Sequence, residues 1–162
     1  MGGLAFSYKS FVKNNVALGI SAGWNIFGRS DANGTSNFTY ENYIITVTGP
    51  QARYINYIPI YANASYFICS NQNSKVVPYL QANIGTLYSQ QRLQLGANTL
   101  NNNNWHFAVA PEAGLIFNLD GYTGITFNGK YNYAFSSGTA VDGSSSNAFS
   151  FFNVNLGITY RR

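Results

Sequence analysis

Charge is scarce in this chain. Asp, Glu, Lys and Arg together make up 9% of its 162 residues, where an ordinary soluble domain carries about 25%. A globule of this size has ample surface for more, so the shortfall implies that much of its surface does not meet water. Long hydrophobic runs are missing as well. No stretch approaches the roughly 18 consecutive apolar residues of a transmembrane helix, and mean hydropathy is near neutral. Cys69 is the single cysteine, which excludes an internal disulfide. One histidine and no cysteine cluster leave no basis for a metal site, and no cofactor motif is present. The net charge of +4 is spread without a Lys/Arg run, so nucleic acid is not an expected partner.

What the chain does have is aromatics, 13 Tyr, 12 Phe and 2 Trp, and a strict two-residue alternation. From Phe152 to Tyr160, one face carries Phe152, Val154, Leu156, Ile158 and Tyr160, while the other carries Asn153, Asn155, Gly157 and Thr159. A water-facing strand shows Lys, Glu and Arg on its polar face. Here the polar face is small and neutral, suited to a crowded barrel interior. The large apolar face is therefore the outside, and an apolar outside needs lipid. Low charge, neutral hydropathy and alternation together predict a transmembrane β-barrel, with the aromatics as girdles flanking the lipid band.

Seven strands are predicted from period-2 segments and turn clusters: Gly3–Ser10, Val16–Phe27, Arg53–Ile68, Val76–Gln90, Trp105–Phe117, Tyr122–Phe135 and Phe149–Tyr160. The second is the cleanest, with Leu18, Ile20, Ala22, Trp24 and Ile26 outward and Ala17, Gly19, Ser21, Gly23 and Asn25 inward. Pro59 lacks a ladder donor and is expected to mark a bulge. Short turns at 12–15, 70–74 and 118–121 alternate with long polar loops at 28–51, 91–104 and 136–148. Within the first loop, Tyr43–Thr48 is a candidate to extend the flanking strands as a hairpin. Short periplasmic turns and long extracellular loops are the asymmetry of an outer-membrane barrel, which puts Arg162 on the periplasmic side.

Such barrels prefer even strand counts, and seven strands leave two unpaired edges in lipid. One further strand is expected ahead of Gly2; the alternatives are a segment from another chain that completes the sheet and a strand count that is off by one. Met1-Gly2-Gly3 leads straight into the first strand pattern, so an export signal is also expected upstream. The fold expectation is thus all-β: an up-and-down antiparallel transmembrane β-barrel forming one domain over 1–162, with eight strands expected and seven visible.

Several segments resemble the small outer-membrane β-barrel family of Bacteroidetes-type Gram-negative bacteria, akin to the transmembrane domain of outer-membrane protein A. They are Tyr8 with Phe11–Gly19, Ile58-Pro59-Ile60 with Tyr66-Phe67, Val77-Pro78-Tyr79 with Asn83-Ile84-Gly85, Pro111–Gly114, and Asn155–Tyr160. The likeness covers essentially the whole chain, though each motif alone is weak. It implies eight antiparallel strands, insertion by the barrel-assembly machinery and no assigned chemistry. The chain departs from the pattern in its opening strand and in ending Tyr160-Arg161-Arg162 rather than on a terminal aromatic.

An ionisable group inside such a barrel needs a partner. Facing places Glu112 and Lys130 inside on the fifth and sixth strands, with Arg53 and His106 near the outer rim. Two readings stay open for this polar network: a gate or solute path, or an ion-paired plug that fixes register. His106 could serve a rim hydrolase, with acidic partners only in loops, at Asp31 or Asp142, and no nucleophile motif. Trp24, Tyr88, Trp105, Tyr133, Phe135 and Tyr160 read as the aromatic girdle. The functional expectation is a non-enzymatic outer-membrane protein with a structural or surface-interaction role, including that of an accessory subunit of an envelope complex. Its partners would be outer-membrane lipid, the assembly machinery during insertion and other envelope proteins. A narrow channel or hydrophobic conduit is the alternative. A soluble lipocalin-like barrel would reverse the faces, and the low charge speaks against it.

Overall fold

Alternation of large apolar with small polar residues leaves each segment no stable choice but an extended strand. Every such strand must then pair to satisfy its backbone. The computed structural model describes residues 2–40, 43–68, 74–95, 98–120, 122–137 and 147–161, with side chains at all of these except 29–53 and 93–102. Seven strands form: β1 (Gly2–Lys13), β2 (Val16–Tyr40), β3 (Tyr43–Phe67), β4 (Val76–Leu95), β5 (Asn98–Asn118), β6 (Thr123–Ala134) and β7 (Phe149–Tyr160). They make one up-and-down antiparallel sheet in the order β1 to β7, curled into a half-barrel. Among the described residues there is no helix.

The inward and outward faces follow the sequence pattern. On β2 and β3, Leu18, Ile20, Trp24, Ile58, Ile60 and Tyr66 are exposed outward, whereas Ala17, Ser21, Tyr57, Tyr61, Asn63 and Ser65 are buried inside. Two small clusters of buried apolar residues lie in the interior, one around Tyr57, Tyr61 and Leu87, the other around Phe67, Val77, Tyr79 and Ile116.

Three expectations need correction. The segments 28–51 and 91–104 are not loops. β2 and β3 stay paired out to Tyr40 opposite Tyr43, and β4 and β5 out to Leu95 opposite Asn98. β3 also stays paired with β4 out to Gln51 opposite Leu95, so β2 to β5 extend together, and only the β2–β3 tip beyond Gln51 is a two-stranded ribbon; the backbone hydrogen bonds continue where the sequence alternation is lost. The Tyr43–Thr48 hairpin extension is part of this ribbon. Pro59 marks no bulge either: Ala22 pairs with Ile60 and Asn25 with Tyr57 in unchanged register. The ladder simply skips the pairs where the proline has no N–H to give. The register shifts in this half of the sheet fall instead at Phe11/Lys13 and Asp31/Gly34. Most of the turn 70–74, most of the loop 136–148, Cys69, Asp142 and Arg162 lie outside the described residues.

Candidate functional site

Among the described residues, polar and ionisable side chains converge in the interior. Period-2 facing puts Glu112 on β5 directly opposite Lys130 on β6, and Lys130 Nζ meets Glu112 Oε2 at 3.0 Å. The carboxylate is further held by the Tyr79 hydroxyl, which donates to Oε1 at 2.8 Å, and by Gln81 Nε2, which donates to Oε2 at 3.3 Å. Gln81 also donates to Asn83 Oδ1 and accepts from Ser65 Oγ, and Asn128 Nδ2 donates to Tyr79 Oη. Three donors on one buried carboxylate offset much of its desolvation. Tyr79 reaches Glu112 because Gly114 lies beneath its ring. A Cβ on Gly114 would stand 2.7 Å from Tyr79 ring carbons.

A chain of amides crosses the interior higher up. Tyr61 Oη donates to Asn132 Oδ1, Asn132 Nδ2 to Asn153 Oδ1, and Asn153 Nδ2 to Asn25 Oδ1. It links β3, β6, β7 and β2. Beside it Tyr57 stacks on Phe149 and Phe151, each with centroids 4.9 Å away. Phe27 packs edge-on to Phe151.

His106 lies on the inner face of β5 at the level where β6 and β7 end, yet it is only 1% exposed. Its Nδ1 lies 2.9 Å from the Phe135 carbonyl oxygen, so Nδ1–H donates there. Its Nε2 lies 3.1 Å from Ser89 Oγ. This is a Ser–His pair, but Ser89 is fully buried, and a backbone carbonyl rather than a carboxylate orients the ring. The polar side-chain atoms of Ser89 and His106 are thus hydrogen-bonded inside the sheet.

Of the interior residues expected from sequence, Glu112 and Lys130 come together and His106 stands apart from them. Arg53 pairs its backbone with Arg29 and Leu93, and its side chain lies outside the described residues. Among the aromatics, Tyr88 and Trp105 are cross-strand partners with rings 5.0 Å apart, and Tyr133, Phe135 and Phe107 form a second cluster. Trp24 shares the register row of Tyr88 and Trp105 through Ile58, and Tyr160 sits at the other end of the sheet opposite Thr123. Sequence reasoning missed the Tyr79–Gln81–Asn83 side of the network, Ser89, and Lys9, whose ammonium lies 4.6 Å from the Tyr79 ring centroid. Alternation does point Tyr79, Gln81 and Asn83 inward. Their meeting with Glu112 depends on inter-strand register, which a single strand does not reveal. Among the described residues no group of His, Cys, Asp and Glu could hold a metal ion.

No protein-family model matches this chain. A search of curated proteins likewise finds no relative.

Proposed function

We propose that the chain is a non-enzymatic outer-membrane β-barrel protein whose role is structural or one of surface interaction. The observation that carries this reading is the inside-out distribution of its surface. Leu156 is 78% and Ile158 82% exposed, while Glu112, Asn132, Asn63 and Gln81 are buried. Full burial of one such apolar side chain is worth about 1.5–3 kcal/mol, so a whole sheet face left in water forfeits a large part of what folding needs. Hydrocarbon removes that penalty. The dimensions agree: Val16–Ile26, at about 3.3 Å per residue and a tilt near 40°, rises roughly 25 Å, the height of the apolar band of such barrels.

In this reading the extended ends of β2 to β5 stand outside the cell with the 136–148 loop, and the C-terminus is periplasmic. These ends are the surface available to other envelope proteins, and the barrel-assembly machinery is the expected partner during insertion. The chain expressed with an export signal should remain in the outer-membrane fraction through a carbonate wash and need detergent for extraction. A monomer that purifies without detergent would overturn the reading. The conduit alternative needs a bore, and the Tyr61–Asn132–Asn153–Asn25 chain with its aromatic stack runs across the interior instead. A planar bilayer holding the protein should be silent; conductance abolished by Lys130→Leu would reverse that preference. For the rim hydrolase, His106→Ala should leave lipase and protease assays at background.

A further inference from the structure

Side chains at the two ends of a lipid-facing sheet meet headgroups rather than hydrocarbon. At the short-turn end, β1 carries a register shift: Phe11 pairs with Ala17, but the next pair is Lys13 with Val16. Val12 is thus an extra residue, and such a bulge re-aims the side chain beyond it. Strict alternation would send Lys13 inward with Phe11, whose ring packs on the buried Phe67 at 5.1 Å. Residues paired across a ladder share a face, so the bulge sets Lys13 in one outward row with Val16 and the exposed Tyr66 instead. The turn itself is pinned. The Asn15 carbonyl oxygen accepts from the Phe67 backbone N–H, and the Asn15 amide donates to the Phe67 carbonyl oxygen, both at 2.8 Å.

The rest of this rim repeats the pairing of a cation with an outward aromatic. Lys75 is exposed immediately before Val76, which stands opposite the outward Phe117. Arg161 donates its backbone N–H to the Tyr122 carbonyl oxygen at 2.7 Å, and Tyr122 and the neighbouring Tyr160 are both exposed. Among the described residues the one acid of this rim is Asp120, whose carboxylate is engaged by the backbone N–H groups of Thr123 and Tyr122. The only salt bridge among the described residues is the interior one between Lys130 and Glu112. Three cations from three separate segments therefore border the apolar wall with no carboxylate paired to them. Long basic side chains lay their stems along apolar surface and hold their charge at the headgroups, where tyrosine rings also settle.

We propose that the short-turn rim selects anionic phospholipid, the Lys13 ammonium pairing with a headgroup phosphate while the acyl chains lie along Val16 and Tyr66. Lys75 and Arg161 add to the attraction around the rim. A zwitterionic headgroup offers the same phosphate but brings its own ammonium, which competes with Lys13. A soluble phosphate offers the charge without the acyl chains and leaves Val16 and Tyr66 uncovered. The selectivity deepens, and rests on, the membrane reading above: it assigns a lipid class to the periplasmic end of the sheet.

The protein in dodecylphosphocholine micelles is titrated with dihexanoyl phosphatidylglycerol or dihexanoyl phosphatidylcholine, and the amide resonances of Lys13, Val16 and Tyr66 are followed. Phosphatidylglycerol should saturate their shifts at about fivefold lower concentration than phosphatidylcholine, the preference expected of one surface cation. That preference should vanish in Lys13→Gln and persist in Lys13→Arg. It should also persist in Lys9→Gln, which removes the same charge from the interior, where Lys9 lies over the Tyr79 ring. Unchanged amide spectra in β3–β5 certify that each variant folds. Inorganic phosphate should leave the three amides unmoved. Equal titration by the two lipids, a preference that survives Lys13→Gln or falls equally in Lys9→Gln, or phosphate saturating as readily as the lipid would each overturn the proposal. Entry into phosphatidylcholine vesicles is measured separately by flotation. A protein that enters them but shows no headgroup preference loses the selective rim and keeps the membrane reading. One that discriminates headgroups in micelles yet never enters vesicles keeps the rim and loses that reading.

Discussion

At the scale of single residues, the interior is governed by whether each buried polar atom has a partner. Glu112 has three donors and Lys130 its one carboxylate. Lys130→Leu should therefore cost about 3 kcal/mol in unfolding by urea, since it leaves a buried carboxylate short of its counter-ion. Replacing both partners, Glu112→Leu with Lys130→Leu, should cost less than the sum of the two single changes. Gly114→Val drives two methyl groups into the space of the Tyr79 ring. Loss of about 2–3 kcal/mol is expected from overpacking, and Gly114→Ala should fall between that variant and the parent. Asp120 lies in the exposed turn before β6. Its carboxylate accepts from the backbone N–H of Thr123 and then of Tyr122, which holds its pKa below the usual carboxylate value. A carboxyl with a depressed folded pKa adds stability above its unfolded pKa and loses it as pH falls through the folded one. Amide exchange at Thr123 should accordingly rise on acidification below the ordinary carboxylate range. Asp120→Asn, which keeps an acceptor oxygen, should flatten that dependence.

At the scale of elements, strand identity and facing were legible wherever one side of the strand is apolar. Val16–Ile26, Ile58–Tyr66 and Phe152–Tyr160 each show the alternation that places them, because a shift of one residue would turn every side chain to the wrong face. The ends of β2 to β5 were not legible. Beyond Gly28 and Gln91 the sequence loses its regular alternation of apolar and polar residues, and hydrogen bonding between neighbours, which leaves no compositional mark, keeps them extended. Contacts across a ladder were equally hidden. Gly19 reads as one more small inward residue, but a Cβ there would press into the Tyr8 carbonyl oxygen and the Lys9 backbone. Gly19→Ala should loosen the β1–β2 ladder by about 1–3 kcal/mol and speed exchange of β1 amides while leaving β4 and β5 unchanged.

At the scale of the whole molecule, one substitution separates a lipid-facing sheet from a water-facing one. Ile84 lies outward near the middle of β4, between Ala62 and Val109, and is exposed. In hydrocarbon, Ile84→Arg should cost about 2–4 kcal/mol at the bilayer midplane. On a hydrated surface it would stay within about 0.5 kcal/mol. Denaturant titration of the vesicle-bound protein against the parent decides between them. The fold class, the direction in which each body strand faces and the inward placement of Glu112 and Lys130 on adjacent strands all follow from composition and a period of two, because those properties are local to a strand. The continuation of the paired strands out to Tyr40 and Leu95, the amide chain from Tyr61 to Asn25, the enclosure of His106 by Ser89 and Phe135, and the seating of Lys9 over the Tyr79 ring were decided only in three dimensions. They depend on register summed over several ladders and on how far the sheet curls, and no single segment of sequence encodes either.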